Sequence, residues 1–207
     1  MGKIAEENQW LKLYKQGRTA WNRRVSALLG IYKWNLLIDG LPESYDPQLK
    51  YELKQINSDY GYYAEIDLDK KELDENRFSI SFEQQIFDTD FDCKGFVFPG
   101  QVWFNNCIFQ QTCNFSQAIF YESVNFKGTQ FHEQSHFNGV IFPSISYFTD
   151  ATFNQETFFQ EAFFQYIDFT NADFRLGANF KHSNFTGWAI FENIKVAPNA
   201  PMTFVQA

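Results

Sequence analysis

The sequence predicts a mainly β fold, a solenoid of short strands wound into stacked coils behind an N-terminal α-helical region. Three observations predict it. The first is a ladder of 17 consecutive phenylalanines: Phe104, Phe109, Phe115, Phe120, Phe126, Phe131, Phe137, Phe142, Phe148, Phe153, Phe159, Phe164, Phe169, Phe174, Phe180, Phe185 and Phe191. Their spacing alternates between five and six residues, an eleven-residue unit, with one slip between Phe164 and Phe169. The second is the position two residues before each rung, which is always small or β-branched, from Val102, Cys107 and Cys113 through to Ala178, Ser183 and Ala189. The third is composition: 26 of 207 residues are Phe and aromatics make up 20% of the chain, so it must bury surface and is not a disordered linker.

Residues two apart share a face of an extended segment, so the small residue and the rung both point inward. The residue after the rung is polar in 15 of 17 cases, Tyr121 and Pro143 excepted. A helix places apolar residues three and four apart and does not produce a five/six period. Short strands with a corner after each, and no long loops, make a solenoid. Upstream the ladder runs through Phe82, Phe87, Cys93 and Phe98. Coils stack at the sheet spacing of about 4.8 Å. Each buried ring contributes about 2–3 kcal/mol.

The chain divides into residues 1–60, a helical cap region, 61–193, the solenoid, and 194–207, a tail expected to cover the far end. In the first part Ile4, Leu11, Tyr14, Trp21, Val25 and Leu28 read at helical spacing, and Gln48 to Ile56 reads as a second short helix. Gly40, Pro42, Asp46 and Pro47 mark the loop between them. Leu68, Leu73 and Phe78, five apart, are expected to lay down a first degenerate coil. In the tail, Ile194, Val196, Met202, Phe204 and Val205 are interrupted by Pro198 and Pro201.

Ala151-Thr152-Phe153, Ala172-Asp173-Phe174 and Ala178-Asn179-Phe180 resemble units of the pentapeptide-repeat proteins, and the resemblance runs from about Phe78 to Phe191. It implies a right-handed quadrilateral β-helix with four units per coil, the Phe filling the shaft. The stretch Gln16 to Asn22 is similar to the helix that precedes the coils in many bacterial members. This chain departs from the family pattern by inserting one residue in every second unit. A coil of four units then spans two of the eleven-residue repeats, and the corners should differ on two of the four faces.

Chemistry is sparse. Asp88, Asp90 and Asp92 open like a calcium loop, but Cys93 stands where glycine is needed and Pro99 where the closing acid is needed. His132 and His136, four apart, would pair on a helix but fall on consecutive faces of a coil, and neither they nor His182 accompany a nucleophile. Cys93, Cys107 and Cys113 read as buried fillers, and an odd, sparse set argues against a disulfide framework. No phosphate loop or nucleophile elbow occurs. No metal, cofactor or catalytic residue is expected.

The formal charge is −8, which disfavours a basic nucleic-acid binder, and no apolar run reaches the ~20 residues of a membrane helix. The first seven residues have no apolar core like that of a secretory leader, so a cytoplasmic location is expected. Residues 1–77 carry 12 basic and 13 acidic groups, residues 78–195 carry 5 and 12, and residues 1–38 are net +5. The favoured function is a non-catalytic scaffold or protein-interaction module, with an unidentified protein partner or a second copy in a homodimer. The alternative, implied by the resemblance and compatible with the acidic rod, is a DNA mimic that inhibits or protects DNA gyrase, a type II topoisomerase. Sorting the residue before each rung at 22-residue intervals yields one apolar column, Ile119, Ile141 and Phe163, followed by Asn184. With Tyr147 around the corner, this column is the expected partner surface.

Overall fold

The computed structural model describes residues 9–58 and 79–205. Ile4, Leu68, Leu73 and Phe78 lie outside the described residues. From Ser79 to Thr203 the chain winds through coils whose strands pair in parallel, 22 residues apart in most coils, as in Cys113 with Ser135 and Ile108 with Gln130. They are 21 apart across the slip, as in Thr152 with Asp173, and 24 apart at Ala178 with Met202. Four walls result. The first holds residues 79–81, 101–103, 124–125, 146–147, 167–168 and 189–190. The second holds 86–87, 108–109, 130–131, 152–153, 173–174 and 195–196. The third holds 91–92, 113–114, 135–136, 157–158, 178–179 and 202–203. The fourth holds 97–98, 119–120, 141–142, 163–164 and 184–185.

The alternation of five and six residues is an alternation of corners. Leaving the first and third walls, the chain turns tightly: the Cys107 N–H donates to the Phe104 carbonyl at 3.1 Å, and Asn106 between them has φ 55°. A positive φ at the third residue of a four-residue turn is the type II geometry. It recurs two residues after the rung at Gln84, Gly95, Asn106, Gln117, Gly128, Gly139, Asp150 and Glu161, then at Asn171, His182 and Asn193. The interval is eleven everywhere except Glu161 to Asn171, where it is ten. The missing residue belongs to the corner between the fourth and first walls, which accounts for the slip after Phe164.

Inside, the rungs from Phe104 to Phe180 are buried and Phe185 and Phe191 are partly buried. Rings on one wall stack coil on coil: Phe104 on Phe126 and Phe131 on Phe153, both at 4.8 Å and 1°. Rings on the first and third walls meet edge-on, as Phe137 does with Phe148 at 5.4 Å and 90°. Offset stacks and edge contacts are both favoured by the ring quadrupole, by about 0.5–1.5 kcal/mol per pair. The small slot also solves a polar problem: hydroxyls there donate to rung carbonyls, Thr129 to Phe104 at 2.7 Å and Ser183 to Phe159 at 2.5 Å. One coil reverses the two sizes. Cys93 stands at the rung and Phe91, two before it, enters the shaft instead, 5.6 Å from the Phe115 ring.

Against the first coils lies a helical layer of α1 (Gln9–Tyr14), α2 (Arg18–Asp39) and α3 (Pro47–Ser58). The helical spacing that runs through Tyr14 and Trp21 is broken at Gly17, φ 86°, and α2 kinks at Gly30, φ 74°. α3 starts where Asp46 accepts from the backbone N–H groups of Gln48 and Leu49, with Pro47 in the first turn. Tyr14 stacks on Phe91 at 4.6 Å, and Trp21 meets Phe98 edge-on at 5.3 Å. At the other end the segment after Phe191 continues the walls. Lys195–Val196 and Met202–Thr203 add strands, and Phe204 stacks on Phe180 at 4.9 Å.

Candidate interaction surface

The two corner types decide which wall can be apolar on the outside. Before a tight turn, the outward residue of the first and third walls is often Asn or Asp. Its side chain accepts the backbone N–H two residues on, as Asn114 does from Ser116, Asn125 from Lys127, Asp168 from Thr170 and Asn179 from Lys181. The fourth wall leads into a longer corner and has no such demand. Its outward column reads Val97, Ile119, Ile141, Phe163 and Asn184, in register from coil to coil.

The helical layer sits on the start of this column. Asn22 substitutes for a strand beside Val97: its amide nitrogen donates to the Gly95 carbonyl, and its oxygen accepts the Val97 N–H, both at 2.9 Å. The Trp21 indole N–H donates to the Val97 carbonyl at 2.7 Å. Farther along, the Tyr45 hydroxyl donates to the Gln117 carbonyl at 2.7 Å, and the Gln117 side-chain oxygen accepts the Asp46 N–H. Leu41, Tyr45, Ile119 and Ile141 are part of one buried cluster. Ile119 is 0% exposed and Ile141 8% exposed, although both point out of the shaft. The expectation that Ile119 and Ile141 form an open partner surface is corrected here. The helical layer, with Leu41 and Tyr45 of the segment between α2 and α3, covers the first half of the strip, because removing apolar surface from water stabilises the fold. Phe163 and Tyr147 remain half-buried.

A second apolar column, which the ladder arithmetic did not show, lies at the corner between the fourth and first walls. Ile145 pairs with Tyr166, and the register that joins Ile167 to Ala189 puts Trp188 above Tyr166. Ile145 is 39%, Tyr166 37% and Trp188 77% exposed, and the two aromatic rings meet edge-on at 6.1 Å. This is the corner that loses a residue at the slip. Gly187 packs so tightly on it that a Cβ there would come within 2.0 Å of the Gln165 carbonyl oxygen. The sequence signal was the slip itself.

The groups with chemical potential are placed away from these columns. Cys93, Cys107 and Cys113 are free and buried. Desolvation pushes the Cys107 thiol up to about 12 and the other two well above the usual thiol range, so none is a thiolate near neutrality. His136 lies flat on Phe158 at 5.0 Å and 6°, and partial burial lowers its pKa. Among the described residues no group of three or more His, Cys, Asp or Glu side chains is arranged to hold a metal ion, and no helix is long and apolar enough to cross a membrane.

Residues 94–141 match the family model for pentapeptide repeats, described as nine copies. The stacked coils around them are consistent with a pentapeptide-repeat protein. Pentapeptide-repeat β-solenoids are generally non-catalytic. None of the curated proteins matches the sequence. Among solved structures, trypsin-treated QnrB1, a plasmid-mediated fluoroquinolone resistance protein, is 14% identical over 58% of this chain and 90% of its own, with a TM-score of 0.16. A likeness at that score carries no weight for function.

Proposed function

We propose that this protein is a non-catalytic interaction scaffold of a reducing compartment such as the cytoplasm, which presents one stiff apolar strip to a protein partner. The accessible part of the strip is Phe163 and Tyr147, which continue the column seated under the helices at Ile119 and Ile141. The observation that carries the reading is the exposed corner beside them, where Ile145, Tyr166 and Trp188 align in one column over consecutive coils. Rigid coils present such a surface with little ordering cost on binding. Immobilised wild-type chain should retain a defined partner from an extract of its own host, and Phe163→Thr/Tyr147→Thr should lose it while keeping a cooperative melt. Identical retention by both proteins would defeat the assignment.

The DNA-mimic reading draws on the acidic balance of the coils, 12 acids against 5 bases over residues 78–195. It requires inhibition or protection of DNA gyrase in a supercoiling assay at micromolar protein, weakened as salt screens the surface charge. No effect on gyrase leaves the scaffold reading alone.

A further inference from the structure

We propose that two copies of this chain associate through unlike surfaces, the outer face of α2 from one copy lying on the Ile145–Tyr166–Trp188 corner of the other. The proposal rests on the interaction-scaffold reading and deepens it by naming an occupant.

Two observations define the receiving corner. Its three side chains form one exposed column across consecutive coils, and the shortened turn with Gly187 packed against Gln165 fixes where Trp188 projects. A large exposed tryptophan on rigid backbone is the kind of anchor that dominates protein interfaces. The residues around it, at 121–125, 143–147, 165–168 and 186–190, include Glu122 and Asp168 but no Lys, Arg or His. The corner therefore suits an apolar surface of positive charge.

The chain itself carries one. On α2, Tyr32 and Leu36 are one turn apart and are 78% and 62% exposed. Lys33 is exposed between them, and Lys12 and Lys15 are exposed at the start of the layer. Across α1 and α2, the acid present is Asp39. Within one copy, the exposure of Tyr32, Leu36 and Trp188 shows that the two surfaces do not meet. Two copies related by a two-fold axis bring them together twice, helix to corner and corner to helix, in a closed pair.

The test uses the full chain in sedimentation velocity and light scattering from about 1 to 100 µM. The wild type should form a dimer. Trp188→Ala and Leu36→Ser should each weaken it by about 30-fold or more, as loss of an interface anchor does, with melting temperatures unchanged because both side chains are exposed. Should either variant melt lower, Tyr166→Ser and Tyr32→Ser replace them. The deciding measurement mixes the two variants. Each supplies the half the other lacks, so one intact contact returns and a mixed dimer forms where neither variant pairs alone. A monomeric wild type at 100 µM overturns the proposal. So does a dimer indifferent to Leu36→Ser, which would mean corner-to-corner pairing, and so does a mixture that stays monomeric. A monomer would leave a foreign partner at Phe163 and Tyr147 untouched, which separates this failure from failure of the scaffold reading.

Discussion

The solenoid and the helical layer are held by opposite strategies. In the solenoid each rung repeats its neighbours' contacts, so Phe137 stacks on Phe115 and Phe159 and meets Phe126 and Phe148 edge-on, as other mid-ladder rings do. Stability there is a sum over equivalent interfaces. The helical layer repeats nothing. It is attached through a few singular groups, the Trp21 indole, the Asn22 amide and the Tyr45 hydroxyl, each aimed at one backbone position. Redundancy makes a stiff rod, and singular bonds fix one orientation on one wall.

The largest expected effect breaks the repetitive half. Phe137→Asp places an unpaired charge in the shaft and should abolish folding, whereas Phe137→Leu keeps an apolar filler and should still give a cooperative melt. An Asp variant that melts within a few degrees of the parent would show that the rung is not buried.

Alkaline pH should come next, and it acts on the coils before it acts on the helices. Burial raises the folded pKa of Cys93, Cys107 and Cys113, so their contribution is complete below the unfolded value of about 8.5 and is lost as pH climbs toward the folded values. The loss is roughly 1.4 kcal/mol per thiol per pH unit. Tyr14, raised mainly by desolvation to about 12, and Tyr45, raised by the same cause, begin to act only above about 10. Urea midpoints between pH 8 and 11 should therefore fall from about 8.5 onward. In Cys93→Ala/Cys107→Ala/Cys113→Ala the onset should move to near 10. An unmoved onset would place the sensitivity elsewhere.

A smaller effect separates the covered from the open half of the fourth wall. Ile119→Thr puts a hydroxyl under the helices and should cost about 2 kcal/mol in urea unfolding. Phe163→Thr, one coil beyond Ile141, should cost less than about 1 kcal/mol. Equal costs would mean that the layer does not distinguish the two positions. Asn22→Ala should cost between about 1 and 3 kcal/mol through the unpaired Val97 N–H and Gly95 carbonyl. Hydrogen exchange at the Val97 amide should speed up with it. An unchanged exchange rate would show that the side chain does not bind that edge.

How much of this is legible in the sequence follows the same division. The ladder and its small partners derive from period, because every coil reports the same constraint. The closure of four walls over two eleven-residue repeats, and with it the sorting that yields the apolar column, is implied instead by the pentapeptide-repeat resemblance. Phe204 escapes the arithmetic because the period assigns Met202 to the place above Phe180, and Phe204 stacks there instead. Positive φ two residues after each rung of the first and third walls was hidden by the variety of its occupants, among them Gly95, Asn106, Gln117 and Glu161. The seating of the helices on Ile119 and Ile141 could not be read, since it depends on how a non-repeating segment fits a wall and occurs once. The one usable hint was that this column, unlike the Asn- and Asp-bearing columns, has no tight turn to serve.

The direction of the hydrogen bonds has a mechanical consequence. Between coils they run along the rod, as from Cys113 to Gln134 and from Phe137 to Phe158. A force applied to the two ends of the solenoid therefore loads the coils in series, and the weakest interface yields alone. Strand 97–98 is bolted by Asn22 and Trp21 on the side facing away from its strand partner. Strands at both ends pair with a strand on one side only, 79–81, 86–87 and 91–92 at the start and 189–190, 195–196 and 202–203 at the finish. The start is also tied to the helical layer, where the Asp92 N–H donates to the Tyr14 hydroxyl as well. Pulled in a single-molecule trap, the solenoid should unwind from the finish, one coil at a time. Each rupture should release one coil, roughly 75 Å of contour, and the bolted coil should yield last.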